Sequence, residues 1–161
     1  MIKGRIAACI IALGLASGCS EPGKPTSQPL LDAAAIASNN HAVGLMGQFQ
    51  YAKAQQGFFD LVQQWPNALD LKVNLAIATL NRQQEGDELL ALGFATEVLR
   101  AAPGHLRANY VAGLMQLYLG RLEEALPHFQ RVAENDPDDA FAAYYVAQCL
   151  TQRGEYEQAL S

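Results

Sequence analysis

Three histidines, three cysteines and a scatter of acids are the residues through which this chain could do chemistry, and their spacing assembles no reaction centre. His41, His105 and His128 stand far apart, and none has a second ligand at helical spacing, so a metal site is not expected. No two of Cys9, Cys19 and Cys149 have metal-ligand spacing. Gly44, Gly47 and Gly57 lack the Gly-Lys-Ser/Thr ending of a phosphate-binding loop, and no Ser or Cys lies in a nucleophile motif. The acids gather where turns and helix starts would put them. Neither metal nor cofactor is implied, and the chain reads as not an enzyme. His105 follows Pro103-Gly104 and reads as a solvated loop residue; Cys149, in an apolar stretch, reads as a small buried one.

Cys19 is different, because its surroundings are those of an address. Lys3 and Arg5 make a short basic start, Ile6 to Ala16 is uncharged and mostly aliphatic, and Ala16-Ser17-Gly18 places small residues directly before Cys19. An eleven-residue apolar run rises only about 16 Å as a helix, roughly half a bilayer core, so it suits a secretory h-region rather than a span. Residues 1–18 are therefore read as a signal peptide. The small residues before Cys19 resemble a bacterial lipobox, which implies an acylated Cys19 at the mature N-terminus. Ala16 stands where Leu is common, and the alternative is an ordinary secretory signal that carries a cysteine near its cleavage site. Residues 19–30 contain Pro22, Pro25 and Pro29 with little to bury, as an extended tether would. Ser20 follows the cysteine, where Asp is the usual inner-membrane retention signal, so the resemblance implies lipid anchoring at the periplasmic face of the outer membrane. With Cys9 removed and Cys19 lipidated, Cys149 has no partner for an intramolecular disulfide.

The body is half apolar and 17% charged, the profile of a folded domain. The net charge is −5, and without residues 1–18 it is −7, from nine basic and sixteen acidic residues. A mildly acidic body with no basic stripe excludes the usual footprint of a nucleic-acid binder.

The organisation comes from a period. Gly86, Gly120 and Gly154 are 34 residues apart, as are Ala91, Ala125 and Ala159, then Leu92, Leu126 and Leu160, and Pro103 and Pro137. Gly120 follows the apolar run Tyr110 to Leu119 and suits a left-handed helix end; Glu123 and Glu124 fall in the next first turn. Ala125 is small where two helices would cross. Leu122, Leu126, Phe129 and Val132 share a face. Asn135-Asp136-Pro137-Asp138-Asp139 breaks one helix and offers caps to the next. The spacing predicts helices near 31–46, 49–64, 68–83, 87–101, 106–118, 122–134 and 140–152, with a stub from 155.

Leu106 to Asp139 resembles the tetratricopeptide repeat, with Gly113, Gly120, Ala125, Phe129 and Pro137 at the family's signature places. Ala140 to Ser161 repeats its first two-thirds through Gly154, Tyr156 and Ala159, and Lys72 to His105 is a weaker copy. An earlier copy in Ala33 to Pro66 is aligned on Gly47, 39 residues before Gly86. Leu75, Asn109 and Ala143 replace the family's Trp, and Arg82 and Gln116 stand where an aromatic is usual. The resemblance implies an all-α fold, an α-α superhelix of antiparallel hairpins over residues 31–161, about three and a half of them.

It also implies a concave groove. The family's groove places fall on Val73, Ala76, Leu80, Gln83 and Gln84, on Arg107, Tyr110, Leu114, Leu117 and Tyr118, and on Phe141, Tyr144, Gln148, Thr151 and Gln152. Of these, Arg107, Tyr110, Tyr118, Phe141, Tyr144 and Gln148 are the candidate partner-binding residues, having the aromatic and arginine character of interface hot spots. Leu114 and Leu117 read instead as packing between hairpins. Tyr110 and Leu114 replace the Lys and Asn with which chaperone-binding members hold a terminal carboxylate, so an extended or helical peptide is the better ligand.

Three functions are compatible with this. The first is a membrane-anchored interaction scaffold of the bacterial envelope that binds a peptide or protein, with no nucleic acid and no metal. The second is the N-terminal part of a longer exported protein whose activity lies downstream, and the third is a small-ligand receptor. Ser161 is the twenty-second place of a repeat begun at Ala140, so continuation past Ser161, or a cap from a partner or second copy, is expected.

Overall fold

The structure, a computed structural model, describes residues 30–159. The signal peptide 1–18, the lipidation residue Cys19 and the tether up to Pro29 lie outside the described residues, as do Leu160 and Ser161.

Several helices begin where side-chain caps or first-turn acids favour it. Asp32 accepts a 2.7 Å hydrogen bond from Ala35 N–H and opens α1 (Ala33–Gly47). There follow α2 (Tyr51–Gln64), α3 (Leu69–Asn81), α4 (Asp87–Ala101), α5 (Leu106–Tyr118), α6 (Leu122–Asn135), α7 (Ala140–Gln152) and the short α8 (Tyr156–Ala159). Acids occupy the first turns of α4 (Asp87, Glu88) and α6 (Glu123, Glu124). Asp139 caps α7 by accepting from the N–H groups of Phe141 and Ala142, both at 3.0 Å. No strand occurs among the described residues.

The turns within hairpins show one recurring device. Gly120 has φ +72°, and beyond it Arg121 N–H reaches back to Gln116 O at 2.9 Å. Gly154, at φ +82°, does the same through Glu155 N–H and Leu150 O. The first hairpin closes identically, but at Phe49, φ +60°, with Gln50 N–H bonded to Leu45 O at 2.9 Å. This corrects the alignment on Gly47, which is still the last residue of α1. The first copy is set by Ala54, which is fully buried like Ala91 and Ala125, so it precedes the second by 37 residues rather than 39.

The second hairpin accommodates three extra residues. Gln83, at φ +55°, ends α3 where Phe49 ends α1, and Gln84, Glu85 and the left-handed Gly86 then intervene before α4. Consequently α3 stops at Asn81, short of the expected 83. The Gln84 N–H has no helix carbonyl to meet and donates to the Asp87 carboxylate at 2.9 Å. Asp87 is only 1% exposed and is also bound by the Arg82 guanidinium. Burial alone would raise the Asp87 carboxyl, but the hydrogen bonds from Arg82 and Gln84 and the Arg82 charge outweigh it and hold it below the usual carboxylate range. Arg82 thus stands at an aromatic place because it ties this longer loop.

The core is built by successive triplets of helices. Phe58, Leu71 and Leu75 close α1 to α3; Ala91, Val111 and Met115 join α3 to α5; Ala125, Phe129 and Cys149 join α5 to α7, with Ala159 against them. Among the described residues, each of the first three hairpins covers its apolar face with the next one, as a solenoid requires. Odd-numbered helices form the inner layer, since α1 touches α3 and α3 touches α5. Gly113 lies so close beneath Phe129 that a methyl group there would stand 2.9 Å from the ring. Cys149 is fully buried, and burial pushes its thiol up. No described helix is long and apolar enough to cross a membrane.

Candidate functional site

The inner layer leaves an open cavity of about 540 Å³ between α3, α5 and the start of α7. Ile77 and Leu80 of α3 and Tyr110, Val111 and Leu114 of α5 make an apolar floor, and Phe141 stands at the mouth. Arg107 lines one part of the rim; Asp136 and Asp139, from the turn between α6 and α7, line another.

Of the six candidate binding residues, Arg107, Tyr110 and Phe141 meet around this cavity. Phe141 is 70% exposed. Arg107 donates to Asn74 Oδ1 at 2.6 Å and lies 3.7 Å from Asp70, and Asn74 in turn donates to Asn39 at 3.0 Å. This polar row crosses α1, α3 and α5. Tyr110 is half-buried, with its ring edge-on to Phe129 and to Tyr145, both at 5.9 Å. Burial first, then the neighbouring Tyr145 and the Asp139 charge, push its hydroxyl up to about 12.

Tyr118, Tyr144 and Gln148 lie outside the cavity lining. Tyr118 and Tyr144 are 62% and 60% exposed, whereas Gln148 is half-buried. Tyr144 packs edge-on against Tyr145 at 5.3 Å, and Tyr145 stacks on Phe129 at 4.8 Å. An aromatic ridge therefore leads from the cavity floor to the exposed Tyr144. Tyr145, its centre, was missed in the sequence; its signal was adjacency to Tyr144 one repeat beyond Val111.

Other groove places need correction. Val73 and Ala76 are fully buried, because α3 is covered by α4 and α5 there. Gln83 and Gln84 belong to the loop after α3, not to its groove face. Leu80 and Leu114 line the cavity, and Leu114 and Leu117 also pack on the core. Thr151 and Gln152 are exposed at the far end of α7.

The histidines remain separate. His105 is not a solvated loop residue: its side chain is 13% exposed, its Nδ1 accepts from Ala108 N–H at 3.3 Å, and its Nε2 lies 3.3 Å from Asp70. The Pro103-Gly104 turn brings it back onto α3, where it caps α5. His128 Nδ1 meets Asn109 Oδ1 at 2.9 Å, while Asn109 donates to the carbonyls of Pro103 and His105. With both amide protons committed, the Asn109 oxygen must accept, so His128 carries its proton on Nδ1. Burial, then Arg131, lowers its pKa. His41 is exposed on α1. Among the described residues no group of three His, Cys, Asp or Glu side chains is placed to hold a metal ion.

Residues 90–140 and 110–161 match the family model of the tetratricopeptide repeat. No curated protein sequence matches the chain. Among solved structures, it is similar to MamA 41-end from Desulfovibrio magneticus RS-1 (TM-score 0.69, 20% identity, covering 78% of this chain and 70% of that one). It is also similar to the first TPR of Spaghetti (RPAP3), bound to the HSP90 peptide SRMEEVD (TM-score 0.70, 18% identity, 77% and 99% covered). YrrB, a TPR protein with an unusual peptide-binding site, matches at TM-score 0.65 and 24% identity over 79% of this chain and 64% of its own. The family match thus spans residues 90–161, a little under half of the chain, and the described residues fold as a helical solenoid like those of the tetratricopeptide structures.

Proposed function

We propose that this protein is a non-catalytic interaction scaffold of the bacterial cell envelope, anchored by lipid on Cys19 and holding a peptide or protein partner in its concave groove. The observation that carries the binding part is the apolar cavity between α3, α5 and α7, continued by exposed aromatics at Phe141 and Tyr144. Such large, stiff side chains lose little entropy on binding and supply most of the energy of many interfaces. RPAP3 domains of this fold are bound to HSP90 and HSP70 peptides, and YrrB has a peptide-binding site. Those peptides end in Glu-Glu-Val-Asp; here Tyr110 and Leu114 fill the places that the resemblance assigns to carboxylate-binding Lys and Asn, so a different ligand is proposed. The anchoring part rests on Ala16-Ser17-Gly18-Cys19 and the proline-rich residues after it.

Two substitutions test the two parts. Phe141→Ala with Tyr144→Ala should abolish partner capture from envelope extracts while leaving the melting temperature within a few degrees, since exposed truncations cost about 0.5 kcal/mol or less. A collapse of stability would show them to be structural. Cys19→Ala should stop acyl labelling and release the protein from membranes; continued labelling would refute the anchor.

A further inference from the structure

The groove's charge says more about its ligand than its shape does. Three charged side chains line the cavity: Arg107, Asp136 and Asp139. Arg107 is already engaged, bonded to Asn74 and facing Asp70. The two aspartates are not. Asp136 accepts from Asp138 N–H at 3.3 Å, and Asp139 accepts from Phe141 and Ala142 N–H; neither takes part in an ion pair among the described residues. Asp138 between them likewise forms no ion pair among the described residues. With Arg107 paired to Asp70, the mouth of an apolar cavity carries two negative charges that meet no basic side chain among the described residues.

We propose that the groove selects a protein segment that sets a large apolar side chain on the floor made by Leu80, Tyr110 and Leu114, beside a lysine or arginine that meets Asp136 and Asp139. This rests on the groove-binding reading above and adds the ligand's chemistry to it. Approaching acidic segments are repelled at the same rim, so the two aspartates both attract the right ligand and exclude the wrong one. The groove's preference is therefore opposite in sign to that of a carboxylate-binding site.

Three fluorescein-labelled synthetic peptides and the full chain test this by anisotropy. The first has a Phe/Leu core flanked by lysines, the second the same core flanked by glutamates, and the third a serine core flanked by lysines. The first should bind most tightly. The double variant Asp136→Asn, Asp139→Asn retains a capping side chain at 139 and should lose about three- to ten-fold affinity for the first peptide at low salt, since rim ion pairs are individually modest. Its salt dependence should flatten, and binding of the second peptide should rise. Equal binding of the first and second peptides, with Phe141→Ser weakening both, would overturn the charge preference and leave the groove reading standing. Equal binding of the first and third would also overturn it, because charge alone would then suffice. If no peptide binds, or Phe141→Ser changes nothing, both readings fall.

Discussion

Replacing Gly113 by alanine should destabilise the protein even though it improves helix propensity. A Cβ at Gly113 would stand 2.9 Å from Cε1 and Cζ of Phe129 and 3.1 Å from Cε2. That ring is fully buried, stacked on Tyr145 at 4.8 Å and flanked by Tyr110, so it has nowhere to retreat. Overpacking of this kind costs about 1–3 kcal/mol. Alanine returns about 0.5–1 kcal/mol over glycine in a helix interior, leaving a net loss of up to about 2.5 kcal/mol. Gly93→Ala is the matched control: it lies exposed within α4 with nothing within 4 Å of the added methyl, so it receives the propensity gain alone. Urea unfolding of both variants, followed by far-UV circular dichroism, measures the difference. The two midpoints should move in opposite directions, separated by about 1–3 kcal/mol with unchanged slope. A Gly113→Ala protein as stable as Gly93→Ala would refute the close packing of α5 on α6.

Three further outcomes follow from the turns and the buried polar groups. Phe49→Gly and Gln83→Gly should each raise stability by about 0.5–1 kcal/mol in thermal melts, because a left-handed residue with a Cβ costs about 1–2 kcal/mol and glycine's added freedom in the unfolded chain returns part of that. Asp87→Ala should lower stability by about 1–3 kcal/mol, since it leaves Gln84 N–H and Arg82 without their acceptor. His128, whose folded pKa lies below the ordinary value near 6.5, should contribute stability that is present above that value and lost as pH falls through the lower folded one. Unfolding free energies measured from pH 7.5 to 5 should show this slope, and His128→Gln should remove it.

The period of 34 exposed the hairpins because the residues that repeat are those with no substitute: small where helices cross, left-handed where they end. Gly120 and Gly154 adopt the conformation their spacing implied, and Ala91 and Ala125 are fully buried. Where a side chain fills such a place, the signal vanishes. Phe49 and Gln83 close helices at φ +60° and +55°, and nothing in their types announces it. For that reason the spacing alone sets the first copy two residues early and runs α3 two residues too far. Gly86 misled in the same way: it keeps the 34-residue register with Gly120 yet begins α4 instead of ending α3. The groove places on α3 share that cause. The three residues added after Gln83 set α3 37 residues before α5, so groove places carried over at 34 fall three residues late on α3, where Ile77 and Asn81 line the cavity instead. Val73 and Ala76 fall on the covered side, while Arg107 and Phe141, near helix starts, escape it.

At the rim of the groove the fold and the proposed recognition would share residues. Asp136 follows the end of α6 and Asp139 caps α7, which is reason enough for acids in that turn. Yet the turn joins an outer helix to an inner one, and an inner helix begins at the edge of the concave surface. Any carboxylate that caps α7 is thereby delivered to the mouth of the cavity next to Phe141, the second residue of that helix. Capping needs only an oxygen acceptor, whereas attraction of a cation needs the charge. Aspartate supplies both and asparagine supplies the first alone. The two roles are thus separable by a change of a single atom, and alanine at the same position would remove them together.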